Sequence, residues 1–302
     1  MMKKVIAIGF CLSILFVITD PARAKVGDVL KVIPDLMADN DVGITYKDSS
    51  LWAAGHNGTL YQINPENGAV LSTIKTQFSH GLMGLSNDGN HFWVVNHQDG
   101  KIYEIDYGGN TVSSFSTPNT DGGTEKGVEG LTWDGKYFWY ADSSLGKLYQ
   151  MDKSGNIISQ CNTPGRSAQG LTWDGSYLWH FDFVTHLIYQ INPANGIVIQ
   201  SFNAPYNGGE GDLAFDGVHL WFSTNGTKSL YQIDIGCSNT VAIKPYTFAA
   251  GKPAKADEVN ANFDTLYQKI NAPDCQIQSL QTQVQALKAI VCQDHPTADV
   301  CK

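Results

Sequence analysis

The chain is poor in charge, and poorest in basic residues. Only 16% of its 302 residues are charged, and 20 lysines and arginines stand against 29 aspartates and glutamates, a formal balance of −9. No basic stripe occurs, so the electrostatic footprint of a nucleic-acid-binding protein is missing. After the first 24 residues no apolar run is long enough to span a bilayer. There is no Ser-His-Asp order, nucleophile elbow, zinc motif or phosphate-binding loop, and therefore no familiar catalytic signature. Cysteine is sparse: one of the six, Cys11, lies in the amino-terminal apolar stretch, and Cys161, Cys237, Cys275, Cys292 and Cys301 follow it. Five is odd, which leaves either a free thiol or a bridge between chains.

What the sequence has in abundance is glycine, 30 residues, and repetition. "GLTWDGKYFWYADSSLGKLYQMD" begins at Gly130 and "GLTWDGSYLWHFDFVTHLIYQIN" at Gly170. A tryptophan series runs Trp52, Trp93, Trp139, Trp179 and Trp221, and a tyrosine series Tyr61, Tyr103, Tyr149, Tyr189 and Tyr231. A period of roughly 40 residues marks units that bury their apolar faces against copies of themselves. Within the fourth unit the pattern predicts strands at Gly170–Trp173, Tyr177–Phe181, Leu187–Ile191 and Ile197–Phe202, with turns at Asp174-Gly175 and at Asn192 to Gly196. Four short strands per unit describe a propeller blade, whereas a helical solenoid would need a period of 3.6.

The fifth unit, Gly211 to Ile235, lacks a fourth strand, and Gly27 to Leu36 matches the missing one. The expected fold is all-β: a five-bladed β-propeller over residues 25–236, with four-stranded blades and an amino-terminal strand closing the last. Lys3 and Lys4, the apolar Val5 to Ile18 and the Ala22-Arg23-Ala24 site mark residues 1–24 as a signal peptide, which places the protein in the periplasm or outside the cell. Residues 237–252 read as a linker. In 253–302 the period becomes helical, and Ile277, Leu280, Val284, Leu287 and Val291 form a heptad seam. A homo-oligomer through residues 275–292 is one expectation, and docking of that helix on the propeller is the other. Cys275 and Cys292 could staple chains, or Cys292 and Cys301 could close a terminal loop.

Blade-to-blade loops and the loops joining second to third strands emerge on one face of a propeller, where ligands are expected. Alignment puts Val42, Met83, Glu129, Gln169 and Gly211 at the channel mouth, and Gly55, Asn96, Asp142, Asp182 and Thr224 three residues after each tryptophan. The candidate ligand-binding set is Glu129, Gln169, Asp142, Asp182 and Asn96, joined by Glu210, Arg166 and Tyr206 from the loops. Glu129 is the candidate general acid or base if the channel raises its pKa. The competing reading makes these side chains strand-end caps. No cofactor is demanded, although carboxylates with Asn96 and Gln169 would suit calcium. His56, His80 and His97 show no metal-ligand spacing.

The blade sentence, with "GLTWDG", "YLW" and "LYQIN", resembles the secreted propellers of the glutaminyl-peptide cyclotransferase superfamily. "AQGLTWDG" at Ala168 to Gly175 and "EGL" at Glu129 to Leu131 carry the resemblance, which implies a five-bladed fold and makes Glu129 and Gln169 the carried-over positions. An Asn-Glu-Leu-Glu segment like that family's is absent. "AGKPAKADEVNANFDTL", from Ala250 to Leu266, resembles segments that precede coiled coils in phage tail fibres and implies oligomerisation. Three functional expectations follow. The first is a non-catalytic recognition protein whose loop face binds a polar ligand, carbohydrate or peptide, made multivalent by the coil. The second is a cyclotransferase-like, lyase or hydrolase enzyme using Glu129, and the third is a structural envelope partner.

Overall fold

The computed structural model describes residues 25–34, 43–117 and 127–236. The stretches expected to be a signal peptide, a linker and a carboxy-terminal seam with its cysteines, together with Val42, lie outside the described residues. No helix of the described residues is long and apolar enough to cross a membrane.

Among the described residues twenty strands make five antiparallel four-stranded sheets. Blade one is β2 (Ile44–Lys47), β3 (Ser50–Ala54), β4 (Thr59–Ile63) and β5 (Val70–Lys75). Blade two is β6 (Leu82–Asn87), β7 (Phe92–Asn96), β8 (Lys101–Ile105) and β9 (Thr111–Ser116). Blade three is β10 (Val128–Trp133), β11 (Phe138–Asp142), β12 (Lys147–Met151) and β13 (Ile157–Asn162). Blade four is β14 (Ala168–Trp173), β15 (Leu178–Asp182), β16 (Leu187–Ile191) and β17 (Val198–Asn203). Blade five is β18 (Gly211–Phe215), β19 (Leu220–Thr224) and β20 (Ser229–Ile233), completed by β1 (Val29–Ile33). The amino-terminal strand therefore pairs where the repeat pattern predicts, Ile33 opposite Leu230 and Val32 opposite Tyr231. The blade-four strands lie within about two residues of their predicted bounds. The largest difference is at β14, which begins at Ala168 because a bulge between Ala168 and Leu171 carries the pairing past Gly170.

The repeated sentence has a chemical cause. In blades three to five the hairpin-turn aspartate accepts backbone N–H bonds with Oδ1, and its Oδ2 accepts the indole N–H five residues on. Trp139, Trp179 and Trp221 donate to Asp134, Asp174 and Asp216 at 2.9, 2.6 and 2.9 Å. The glutamine of "YQ", sixteen residues on, donates to the same oxygen from Gln150, Gln190 and Gln232, each at 3.3 Å. A buried indole needs such a partner, so aspartate, tryptophan and glutamine recur together.

Each tryptophan then packs at a seam between blades. Trp52 joins the core shared with blade two, Trp93 that with blade three, Trp139 that with blade four and Trp179 that with blade five. Trp221 closes the circle by packing with Ile33 of β1 and Ile44, Leu51 and Ile63 of blade one. The outermost strands carry the exposed aliphatics, such as Val70, Leu71, Ile157 and Ile158.

Around the axis the innermost strands nearly touch. A Cβ at Gly130 would stand 2.2 Å from the carbonyl oxygen of Gln169, and one at Gly84 2.3 Å from that of Glu129. Glycine is required there by close approach rather than by backbone angle. Gly130→Ala is expected to lower unfolding stability by roughly 2 kcal/mol, within the range for overpacking an interior. Urea unfolding followed by tryptophan fluorescence measures it, and an unchanged midpoint would contradict a closely packed inner ring.

Candidate functional site

Four blades carry glycine at the tightest point of the axis: Gly84, Gly130 and Gly170 within β6, β10 and β14, and Gly43 just before β2. The fifth carries Asp212, whose side chain enters the space the glycines leave. Its Oδ2 accepts the amide of Ile44 at 2.9 Å, and its Oδ1 accepts those of Leu171 at 3.0 Å and Leu213 at 2.8 Å. The amide of Leu85 acts on it as well. One carboxyl thus ties blades one, two, four and five together across the axis. Full burial pushes Asp212 up to about 8, against the lowering pull of these amides. It was not among the candidate ligand-binding residues. The legible signal was "GDL" at Gly211 to Leu213, which breaks the "GL" of Gly84-Leu85, Gly130-Leu131 and Gly170-Leu171.

Above this plug, at the loop end of the channel, Met83, Glu129, Gln169, Glu210 and Asp212 line a recess with room for about one water-sized group. Pockets that enclose a drug-sized molecule run to roughly 300–1,000 Å³, so this recess suits one group of a ligand rather than the whole of it. Glu129 starts near the mouth on β10. Its Oε1 accepts from Ser143 Oγ at 3.4 Å, while Oε2 is buried with no protein partner. Burial, then the charge of Glu210, with Asp212 and Asp142 adding to it, pushes Glu129 up to about 8 despite the Ser143 bond. Gln169 is 7% exposed, and its Oε1 accepts the amide of Gly211 at 3.3 Å. Glu210 is held by Asn225, whose Nδ2 donates to Oε2 at 3.0 Å.

The structure therefore brings Glu129, Gln169 and Glu210 together, and the other candidates stand elsewhere. Asp142 is fully buried, and its Oδ1 accepts the amides of Ser144 and Leu145 and the Ser144 hydroxyl, which caps the turn after β11. Its Oδ2 has no protein partner, and its charge reaches Glu129. Asp182 does the same after β15, accepting from Val184, Thr185 and the amide of Ser167. Asn96 accepts the amide of Gln98 at 3.0 Å. The polar residue three after each tryptophan is thus used as a turn cap. Arg166 is exposed, and Tyr206 is half-buried against Gly208 and Gly226. Phe78 packs edge-on to Tyr103, centroids 4.6 Å apart.

One buried polar residue escaped the sequence reading. His180, on β15, is fully buried, and its ring stacks on that of Tyr189 with centroids 5.8 Å apart. Burial holds its imidazole below the usual histidine range, at about 4, against the Asp182 charge. "LWHF" betrays it, since the equivalent residues are Ala53, Val94, Tyr140 and Phe222.

No known family model matches the sequence, and no curated protein matches it. Among solved structures the fold is similar to the glutaminyl cyclase of Myxococcus xanthus, with a TM-score of 0.56 and 13% identity over 68% of this chain and 95% of that one. Virginiamycin B lyase from Staphylococcus aureus gives 0.42 and 17% identity over 64% of this chain and 66% of that one. The WD40 propeller domain of Doa1 gives 0.43 and 10% identity over 63% and 62%. At 13% identity the likeness to the cyclase concerns the fold alone.

Proposed function

We propose that this chain is a secreted recognition protein whose channel mouth binds one hydrogen-bond-donating group of a polar ligand, a carbohydrate or a peptide. The observation that carries the reading is the convergence of Glu129, Gln169 and Glu210 on a single recess, with Glu129 Oε2 left without a protein partner. Acceptor oxygens dominate the lining, so the group bound is a hydroxyl or an amine rather than an anion. Glu129 keeps its proton until the pH approaches 8, so it meets a hydroxyl as a neutral carboxyl and gives a charge-assisted hydrogen bond only to a cationic amine that ionises it. Multivalence through residues 275–292 completes the proposal, because linked weak sites gain avidity.

A second reading, an enzyme, is favoured by one observation: a carboxyl raised to about 8 still holds its proton at neutral pH, as a general acid must. Titration against a panel of glycans and short peptides, with each bound compound recovered and weighed by mass spectrometry, separates the two. Selective binding with unchanged mass supports recognition. A mass change that Glu129→Gln abolishes would replace it with the enzyme reading. The same titration resolves the ligand class: a cationic amine must ionise Glu129, so its affinity rises between pH 6 and pH 9, whereas a sugar hydroxyl binds with little pH dependence.

A further inference from the structure

We propose that blade two holds a divalent transition-metal ion on Asp88, His91 and Glu104, at the end of the propeller opposite the channel mouth. Among the described residues these three offer ligand atoms that all lie within 4.8 Å of one another. The set arises from a departure from the repeat. Gln62, Gln150, Gln190 and Gln232 occupy the position of Glu104 in the other four blades, and in three of them the glutamine donates to the turn aspartate. Glutamate cannot donate, so blade two sets a second carboxylate beside Asp88, an arrangement that calls for a cation between them.

The ligand atoms are oriented for one. The amides of Asn90 and His91 hold Asp88 Oδ1, both at 2.9 Å, which leaves Oδ2 as the outward oxygen. Ser113 Oγ donates to Glu104 Oε2 at 2.6 Å and turns Oε1 toward His91 Nδ1, 2.9 Å away. Supporting hydrogen bonds of this kind fix ligand geometry in metal sites. A cation already stands there: the ammonium of Lys153, from blade three, pairs with Asp88 Oδ2. The Asp88 side chain is 1% exposed and that of Lys153 47%, so the lysine can swing out while the carboxylate stays. One imidazole with two carboxylates suits zinc, with a fourth position open to solvent.

The full chain and its Glu104→Gln variant, titrated with zinc by calorimetry, test this. The variant restores the residue of the other blades and is expected to fold. Cysteines and other histidines contribute equally to both proteins, so the difference isolates blade two. The wild type is expected to bind one equivalent more than Glu104→Gln, and its thermal midpoint to rise further with zinc. Lys153→Met, which removes the competing ammonium, is expected to bind zinc several-fold more tightly. Equal zinc equivalents and equal affinity in wild type and Glu104→Gln would overturn the proposal, since an ion-pair cluster with no metal would give that result.

Discussion

Asp212→Asn is expected to lower the thermal midpoint of the propeller by roughly 6–12 °C. Both oxygens of Asp212 accept backbone amides, Oδ2 that of Ile44 and Oδ1 those of Leu171 and Leu213. Asparagine keeps one acceptor and points an NH2 at the amide that the other served. A buried donor left without a partner costs about 1–3 kcal/mol, and the apposed donors add to that. About 3 kcal/mol in a domain of this size corresponds to about 2–4 °C per kcal/mol. Asp212→Gly, which would complete the ring of glycines, is expected to fare no better, because the same amides then lose every acceptor. Circular dichroism melting measures both variants. Midpoints within about 2 °C of wild type would show that the axial carboxyl does not hold the blades together.

Glu129→Gln is expected to flatten the pH dependence of stability and to abolish binding at the mouth. Glu129 is raised from about 4.5 to about 8 in the fold. Between those values the folded chain holds a proton that the unfolded chain releases, so the stability is fully present below pH 4.5 and is lost as pH rises through 8. The loss is on the order of 1.4 kcal/mol for each pH unit of that window. Urea midpoints of the wild type should fall from pH 5 to pH 8, and those of Glu129→Gln should fall less. Asp212 is raised in the same direction, so some slope remains in the variant. Identical slopes in the two proteins would mean that Glu129 titrates as an ordinary surface carboxyl.

Most of the fold was legible because its recurring residues are bound to one another. In blades three to five the aspartate of "DG", the tryptophan five residues on and the glutamine of "YQ" form one hydrogen-bonded set, and the tryptophan at that place recurs in all five blades, so its series counts them. The closing strand was legible because β1 repeats the pattern of an outermost strand. The channel mouth was legible by aligning the repeats, which placed Glu129 and Gln169 at equivalent positions, and Glu210 follows from its place just before β18. The direction of a side chain at a strand end is harder to read. Asp142, Asp182 and Asn96 sit on the loop face in sequence, yet they turn back to cap the hairpins that follow, since a short acceptor there satisfies the turn amides at once. Asp212 was hidden for a different reason. Its role depends on four amides from three other blades and its own, and such convergence has no local signature beyond a missing glycine.

The central claim is that Glu129 at the channel mouth contacts the ligand. The direct measurement is the affinity of the full chain, Glu129→Gln and the distant surface variant Glu66→Gln across one panel of glycans and short peptides. The account predicts that a compound bound by wild type and by Glu66→Gln is bound about tenfold more weakly by Glu129→Gln, the size of one lost hydrogen bond in a desolvated site. Equal affinity in all three proteins would contradict it and move the binding face away from the channel.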